Sequence, residues 1–218
     1  MSECCDRPGY QSLFSARYAR RLARTYRKRG LSPTQSRMVS FLTERGIAGA
    51  SVLEIGGGVG EIQIEVLRRG ARTATNLEIA RGYEAEATAL LQQSGFADRV
   101  QRRFVDIATS PEDVEPADIV VLHRVVCCYP DYGRLLSAAA SHATRLLVFS
   151  YPPSNPFTRA LLCVENLLHR LRGSDFRAFV HPPAAMIAAI QAQGLSITYR
   201  HRELSWLVAG LERLAPAT

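Results

Sequence analysis

The sequence predicts an α/β fold, doubly wound, in which helices cover both faces of a mostly parallel sheet of seven strands. Three observations predict it. Short β-rich runs alternate with helical patterns through the middle of the chain, the rhythm of parallel strands joined by helical crossovers. The first run, Val52-Leu53-Glu54-Ile55, breaks into glycines and leads straight into the helical pattern Ile62-Gln63-Ile64-Glu65-Val66-Leu67. Acids then stand at the carboxyl ends of three successive runs, Glu54, Glu78 and Asp106, along the crevice where open α/β sheets bind ligands.

The elements follow in order. Residues 1–30 form a basic helical arm, with Phe14, Tyr18, Leu22 and Tyr26 at helical spacing and Arg17, Arg20, Arg21, Arg24, Arg27, Lys28 and Arg29 around them. Three readings of the arm stand: a solvated basic face, a lid attracting an anionic substrate, or a nucleic-acid contact. Residues 31–218 form one domain. It opens with a helix over 34–45, capped by Ser32 with Pro33 in the first turn. Strands are predicted at 51–55, 73–78, 100–105, 119–123 and 145–150, and helices at 61–69, 82–93 and 131–141. Pro152, Pro153 and Pro156 then break the rhythm before a helix over 157–172, whose Leu161, Val164, Leu168 and Leu171 share one face. The segment 151–180 reads as an insertion on the substrate side. A helix over 183–193 and two strands, 196–203 and 205–209, follow it.

Composition narrows the class. The chain has 218 residues, 47% of them apolar, enough for one domain with a full core. The formal charge of +7 is nearly all arginine, Lys28 being the sole lysine. No apolar run approaches the roughly 20 residues of a membrane span, and the start Met1-Ser2-Glu3-Cys4-Cys5-Asp6 is unlike a signal peptide, so a cytoplasmic protein is expected. Five cysteines, as the pairs Cys4-Cys5 and Cys127-Cys128 plus Cys163, match neither a secreted disulfide framework nor the C-x-x-C spacing of zinc sites.

The glycine turn carries the chemistry. In Glu54-Ile55-Gly56-Gly57-Gly58-Val59-Gly60-Glu61 the glycines let a ligand lie against the backbone, but Glu61 puts an anion where a dinucleotide's phosphates would sit. A ligand without phosphate fits better. Glu78, about 20 residues beyond the glycines, is spaced to accept from two ribose hydroxyls. The pattern E-x-G-x-G-x-G resembles the first motif of the class I S-adenosylmethionine-dependent methyltransferases. That resemblance implies a Rossmann-like sheet closed by a C-terminal antiparallel hairpin. It also implies S-adenosyl-L-methionine as cofactor, leaving S-adenosyl-L-homocysteine, with Glu54, Gly56, Gly57, Gly58, Gly60, Glu78, Ile79, Asp106, Ile107 and His123 around it. In those enzymes an acid at the place of Asp106 accepts from the adenine amino group; the other reading of Asp106 is a helix N-cap.

The second informative stretch is His123-Arg124-Val125-Val126-Cys127-Cys128-Tyr129-Pro130-Asp131, after the fourth strand. Methyl transfer is an in-line displacement that needs alignment, and a base only where the acceptor arrives protonated. His123 is either that base or a residue ordering the loop; Arg124 either forks a substrate carboxylate or makes a structural ion pair. Tyr-Pro-Asp here, the prolines after strand five, the inserted helix and the ending Trp206-Leu207-Val208-Ala209-Gly210-Leu211-Glu212 resemble the magnesium-protoporphyrin O-methyltransferases. Carried over, the resemblance implies methylation of a propionate carboxylate on a large anionic ring beneath the basic arm. Tyr18, Cys128, Tyr129, Tyr151 and His181 are the substrate-side candidates. The chain departs from that family in having Cys128 where a histidine precedes the Tyr-Pro pair, and Phe14 near an expected tyrosine. Related ubiquinone-pathway enzymes carry an E-x-x-E-H metal signature where this chain has Arg124, Cys127 and Cys128, so no catalytic metal is expected. Ser150-Tyr151-Pro152-Pro153 mimics an amino-methylating motif but follows the wrong strand.

The expectation is therefore an S-adenosylmethionine-dependent O-methyltransferase acting on a small to medium anionic organic molecule, tetrapyrrole-like or another biosynthetic intermediate. Its rivals are a non-catalytic cofactor-binding sensor or partner protein and an RNA methyltransferase. No DNA partner is expected, and the leucine face of the inserted helix would suit a peripheral membrane contact.

Overall fold

The computed structural model describes residues 9–214; the start containing Cys4 and Cys5 lies outside the described residues. Seven strands form one sheet in the order β3-β2-β1-β4-β5-β7-β6. They are β1 Ser51–Ile55, β2 Thr73–Leu77, β3 Val100–Arg103, β4 Ala117–Leu122, β5 Ala143–Tyr151, β6 Ser196–Arg202 and β7 Leu207–Glu212. The first five are parallel, and β7 runs antiparallel between β5 and β6.

Alternation along each strand sorts the core into two layers. Leu53, Val120, Leu122, Leu147 and Phe149 point to one face, where they meet Leu135, Leu136 and Ala139 from one helix and Met186 and Ile190 from another. Val52, Ile119, Val121 and Val148 point to the other, where Met38, Phe41, Leu42, Ile62 and Val66 cover them. The helices are α1 Tyr10–Leu13, α2 Ala16–Arg29, α3 Pro33–Glu44, α4 Glu61–Arg68, α5 Glu84–Ser94, α6 Tyr132–Ser141, α7 Pro156–Leu171 and α8 Pro183–Gln191. The cap expected at Ser32 is present as a capping box, its side chain accepting from the Gln35 amide while the Gln35 side chain accepts from the Ser32 amide.

Several boundaries depart from the sequence reading. β2 and β3 stop early, so Glu78 sits in a loop instead of within its strand, and Asp106 lies farther past its strand end than expected. α5 begins at Glu84 because a 3₁₀ turn, Arg81–Tyr83, takes the first residues of the expected 82–93 helix. The last strand is Leu207–Glu212, not 205–209. The Glu203 amide donates to the Trp206 carbonyl and closes the hairpin there, and the strand runs on through Gly210, against which the Phe41 ring packs so closely that a β-carbon would lie 2.4 Å from it.

The arm folds back on the domain. Ala19, Ala23 and Tyr26 of α2 bury against Ile64, Leu90 and Leu91, while all seven of its basic residues stay exposed. Two glycines let the arm approach. A β-carbon at Gly9 would lie 2.2 Å from the Phe176 amide nitrogen, and one at Gly82 would lie 2.2 Å from the Phe14 carbonyl oxygen.

Candidate active site

The turn after β1 rests on a buried polar layer. Gly56 donates its amide to the Leu77 carbonyl at 2.7 Å, tying the turn to β2. Beneath it lie Glu54, Gln63 and Asn76, all fully buried, with the Asn76 amide donating to Gln63 Oε1 at 2.9 Å. A β-carbon at Gly57 would sit 2.1 Å from Asn76 Nδ2 and 2.8 Å from the Glu54 carboxyl carbon. Gly57→Ala must therefore displace this layer. The expected outcome is a loss of about 1–3 kcal/mol in stability together with loss of ligand binding, measured by thermal unfolding and calorimetry.

Glu78 spends most of its hydrogen-bonding capacity on the backbone. Oε1 accepts from the amides of Ile79 (2.8 Å) and Ala80 (2.9 Å), and Oε2 accepts from Gly58 at 3.0 Å. It thereby clamps the glycine turn to the end of β2. Burial raises its pKa and these three donors oppose the rise. Asp106 accepts from the Ala108 amide at 3.0 Å and from the Tyr129 hydroxyl at 2.9 Å. The residues after Asp106 form a turn, closed by the Thr109 and Ser110 amides on its carbonyl, so there is no α-helix for it to cap.

Glu54 and Glu61 bring two more carboxyl groups to the same region. Burial, then the charge of Glu61, pushes Glu54 up to about 8, and one of its oxygens has no hydrogen-bond partner among the described residues. Burial likewise raises Glu61, at the first turn of α4, against help from its own amide, Arg124 and the Gln35 side chain.

A cavity of about 470 Å³ joins these groups to the arm. It is lined together by Glu54, Gly56, Gly57, Glu78, Ile79, Asp106 and Ile107, by Tyr10, Phe14, Tyr18 and Tyr26 of the arm, and by His123, Arg124, Cys128 and Tyr129. Gly58 and Gly60 do not line it; they shape the turn, Gly58 by donating to Glu78 and Gly60 by capping α4 at φ 88°.

His123 and Arg124 share one anchor. The Arg124 amide donates to the fully buried Ser150 Oγ at 3.0 Å, and His123 Nδ1 lies 2.9 Å from the same oxygen. Beside the Arg124 amide, the hydroxyl can either donate to Nδ1 or accept from it, and in both cases Nδ1 is engaged. Burial, then the nearby Arg124 charge, lowers His123 to about 3. Arg124 stands at φ 58°, the one non-glycine residue with positive φ among those described, and its guanidinium lies 4.7 Å over the Trp206 ring. This is a cation–π contact, where the sequence reading had offered an ion pair.

The other substrate candidates divide. Tyr18, Cys128 and Tyr129 line the cavity; Tyr151 and His181 do not. Tyr151 is buried in the core at the end of β5, stacked on Phe149 at 5.1 Å. His181 Nε2 donates to the carbonyls of Tyr129 (2.9 Å) and Val126 (3.2 Å), so it orders the loop beside the cavity. Of the insertion's aromatics, Phe176 packs on Tyr10 and Phe14, and Phe157 is 76% exposed. Cys127 and Cys128 hold their sulfurs 3.7 Å apart, and the Tyr10 hydroxyl donates to the Cys128 carbonyl. Tyr10, Gln35 and Glu61 were missed as site residues. Tyr10 and Gln35 depend on how the arm and α3 fold over the sheet, for which no local pattern exists, whereas Glu61 follows the glycine turn directly and had been read only as a bar to phosphate.

A seven-stranded sheet of this order, with its glycine turn and acids at the strand ends, defines the class I methyltransferase fold. Residues 17–200 match the model of the methyltransferase domain family, and the chain belongs to that family. Among solved structures, magnesium protoporphyrin IX methyltransferase from Synechocystis PCC 6803 with bound S-adenosylhomocysteine is similar at 21% identity and a TM-score of 0.73, over 94% of this chain and 98% of that one. An O-methyltransferase family protein from Burkholderia thailandensis is similar at 18% identity and 0.69, covering 96% of this chain and 64% of that one. An O-methyltransferase family 2 protein from Planctomyces limnophilus DSM 3776, in complex with apigenin, gives 17% and 0.67, over 91% and 62%. No curated protein sequence matches the chain.

Proposed function

We propose that this methyltransferase uses S-adenosylmethionine to methylate an oxygen, most simply a carboxylate, of a small to medium anionic organic molecule. The observation that carries the reading is the continuous cavity from the glycine turn and its acids, past Arg124, to the aromatic inner face of the arm. Of about four lone-pair sites on the Glu78 carboxylate, three take backbone donors, which leaves one on Oε2 for a ribose hydroxyl. Asp106 would accept from the adenine amino group beside Ile107, and Glu54 with the Gly56–Gly57 backbone would hold the amino-acid end. When bound, the cofactor supplies an electrophilic methyl group on a sulfonium.

The chain's own residues then align the acceptor. Burial keeps His123 neutral and its Nδ1 is engaged by Ser150, so it is badly placed to take a proton. An acceptor that arrives ionised needs no base, which favours a carboxylate over an alcohol. Arg124, held on Trp206 at the cavity wall, supplies the opposite charge. The arm shields the reaction from water with Tyr10, Phe14 and Tyr18.

The test is turnover: release of S-adenosylhomocysteine only when a carboxylate acceptor is present, with porphyrin propionates and aromatic acids screened first. Binding without turnover on any acceptor would instead identify a non-catalytic cofactor-binding protein. On the active acceptor, His123→Asn, whose side-chain amide can replace Nδ1 as the partner of Ser150, is expected to keep kcat within about threefold. The wild-type pH profile should show no inflection near 6.5, the ordinary histidine value. A bell limb there that disappears in the variant would restore His123 as a base.

A further inference from the structure

Helix α7 is built inside out. Its protein-facing side is the polar one: the Asn166 side chain clamps Ala178 with two hydrogen bonds of 2.8 Å, and His169 packs on Phe176 at 5.3 Å. Its outward side carries Phe157, Leu161, Val164, Leu167, Leu168 and Leu171, between 44% and 76% exposed. At 100° per residue these six share one continuous stripe along a helix of 16 residues, about 24 Å long. A stripe of that size turned to solvent marks an interaction surface.

Charge says what covers it. At 100° per residue Arg159 and Arg170 fall on one line roughly 60–80° round from the Leu167 edge of the stripe, a gap that long side chains can span, and Arg172 follows the helix end near the other edge, all exposed, against the carboxylates of Glu165 and Asp175. A second copy would set two chains of formal charge +7 against each other across this surface. An anionic bilayer takes the leucines among its acyl chains and the guanidiniums at its headgroups. We propose that α7 docks the enzyme in the plane of an anionic membrane surface. Among the described residues no helix is long and apolar enough to cross a membrane, so the contact is peripheral. The opposite side of α7 reaches the arm through His169 and Phe176, which packs on Tyr10 and Phe14, so docking would set the cavity's aromatic wall one helix away from the lipid. The inference does not depend on the methyl acceptor.

Flotation of the full chain with vesicles tests it, using phosphatidylcholine alone and an equal mixture with phosphatidylglycerol. The wild type is expected to float with the anionic vesicles, with at least about tenfold weaker partitioning onto neutral ones, since each arginine near an anionic surface contributes roughly 1 kcal/mol. A Leu161→Asp/Leu168→Asp variant, altered only at exposed positions and checked for unchanged circular dichroism, is expected to lose about a hundredfold or more in partitioning. Wild-type protein that stays unbound, equal flotation of wild type and variant, or equal binding to both vesicle types would overturn the proposal. So would a solution dimer, seen by light scattering, that the double substitution converts to monomer, because the stripe would then be a contact between copies.

Discussion

Glu78→Gln is expected to weaken S-adenosylmethionine binding by about ten- to a hundredfold while leaving the sheet intact. The loss has two sources. A glutamine presents an amide NH₂ where the carboxylate now accepts, so one of the three backbone donors from Gly58, Ile79 and Ala80 faces another donor. Hydrogen bonds to a charged acceptor are worth about 1.5–3 kcal/mol, and a buried donor left without one costs about 1–3. The ribose would lose a charged acceptor at the same time. Glu78→Ala leaves all three donors unpaired, so a binding defect in that variant would mix cofactor loss with collapse of the turn. Calorimetric titration of Glu78→Gln, with thermal unfolding alongside, separates the two. Unchanged affinity in a folded variant would remove Glu78 from the cofactor site.

Glu54 governs a second large effect, through pH. Burial and the negative charge of Glu61 raise it to about 8, so the empty protein favours its protonated form. The sign follows: a carboxyl whose folded-state pKa lies above its unfolded value stabilises most in acid, and that contribution falls as pH rises from about 4.5 to about 8. Relative to Glu54→Gln, which cannot ionise, the wild type should lose on the order of 3 kcal/mol between about pH 5 and 7.5. Thermal unfolding of both proteins across that range measures it. Ligand binding should run the other way. Pairing Glu54 with the cofactor's ammonium requires the anion, so affinity should climb by up to about tenfold per pH unit below about 8, with release of a proton. Calorimetry in buffers of different ionisation heat detects that proton. Affinity independent of pH, with no proton released, would show that Glu54 does not meet the ammonium.

The sheet was legible because its strands are buried on both faces and read as runs such as Ile119 to Leu122, while the glycine turn announced the edge that matters. The acids were legible as residues but not as geometry. Glu78 and Asp106 look like strand ends in sequence, whereas each carboxylate folds back to take the amides that follow it, which ends the strand before it. The last strand was expected to end at Ala209, one residue before Gly210. That residue is a glycine because of Phe41, far away in the chain, a tertiary cause that no window along the sequence contains. Asn76 and Gln63 carried a signal that went unused: polar residues at core-facing positions of a strand and a helix, bonded to each other under the turn. Tyr151 was assigned to the substrate wall with the prolines after strand five and His181 with the aromatics of the insertion, and packing sent the first into the core and the second onto loop carbonyls.

The place of β7 bears on how the protein is made. Along Leu146 to Tyr151 the edge of β5 pairs with residues 207–212, which stand after every other strand in the sequence. During synthesis Leu146, Leu147, Val148 and Phe149 therefore leave the ribosome as an open edge, and it stays open until β7 has followed. For that interval the nascent chain presents an apolar strand able to pair with a neighbour on the same messenger. The yield of native enzyme should thus depend on how quickly translation moves from residue 151 to residue 212, and on whether a chaperone holds that edge in the meantime.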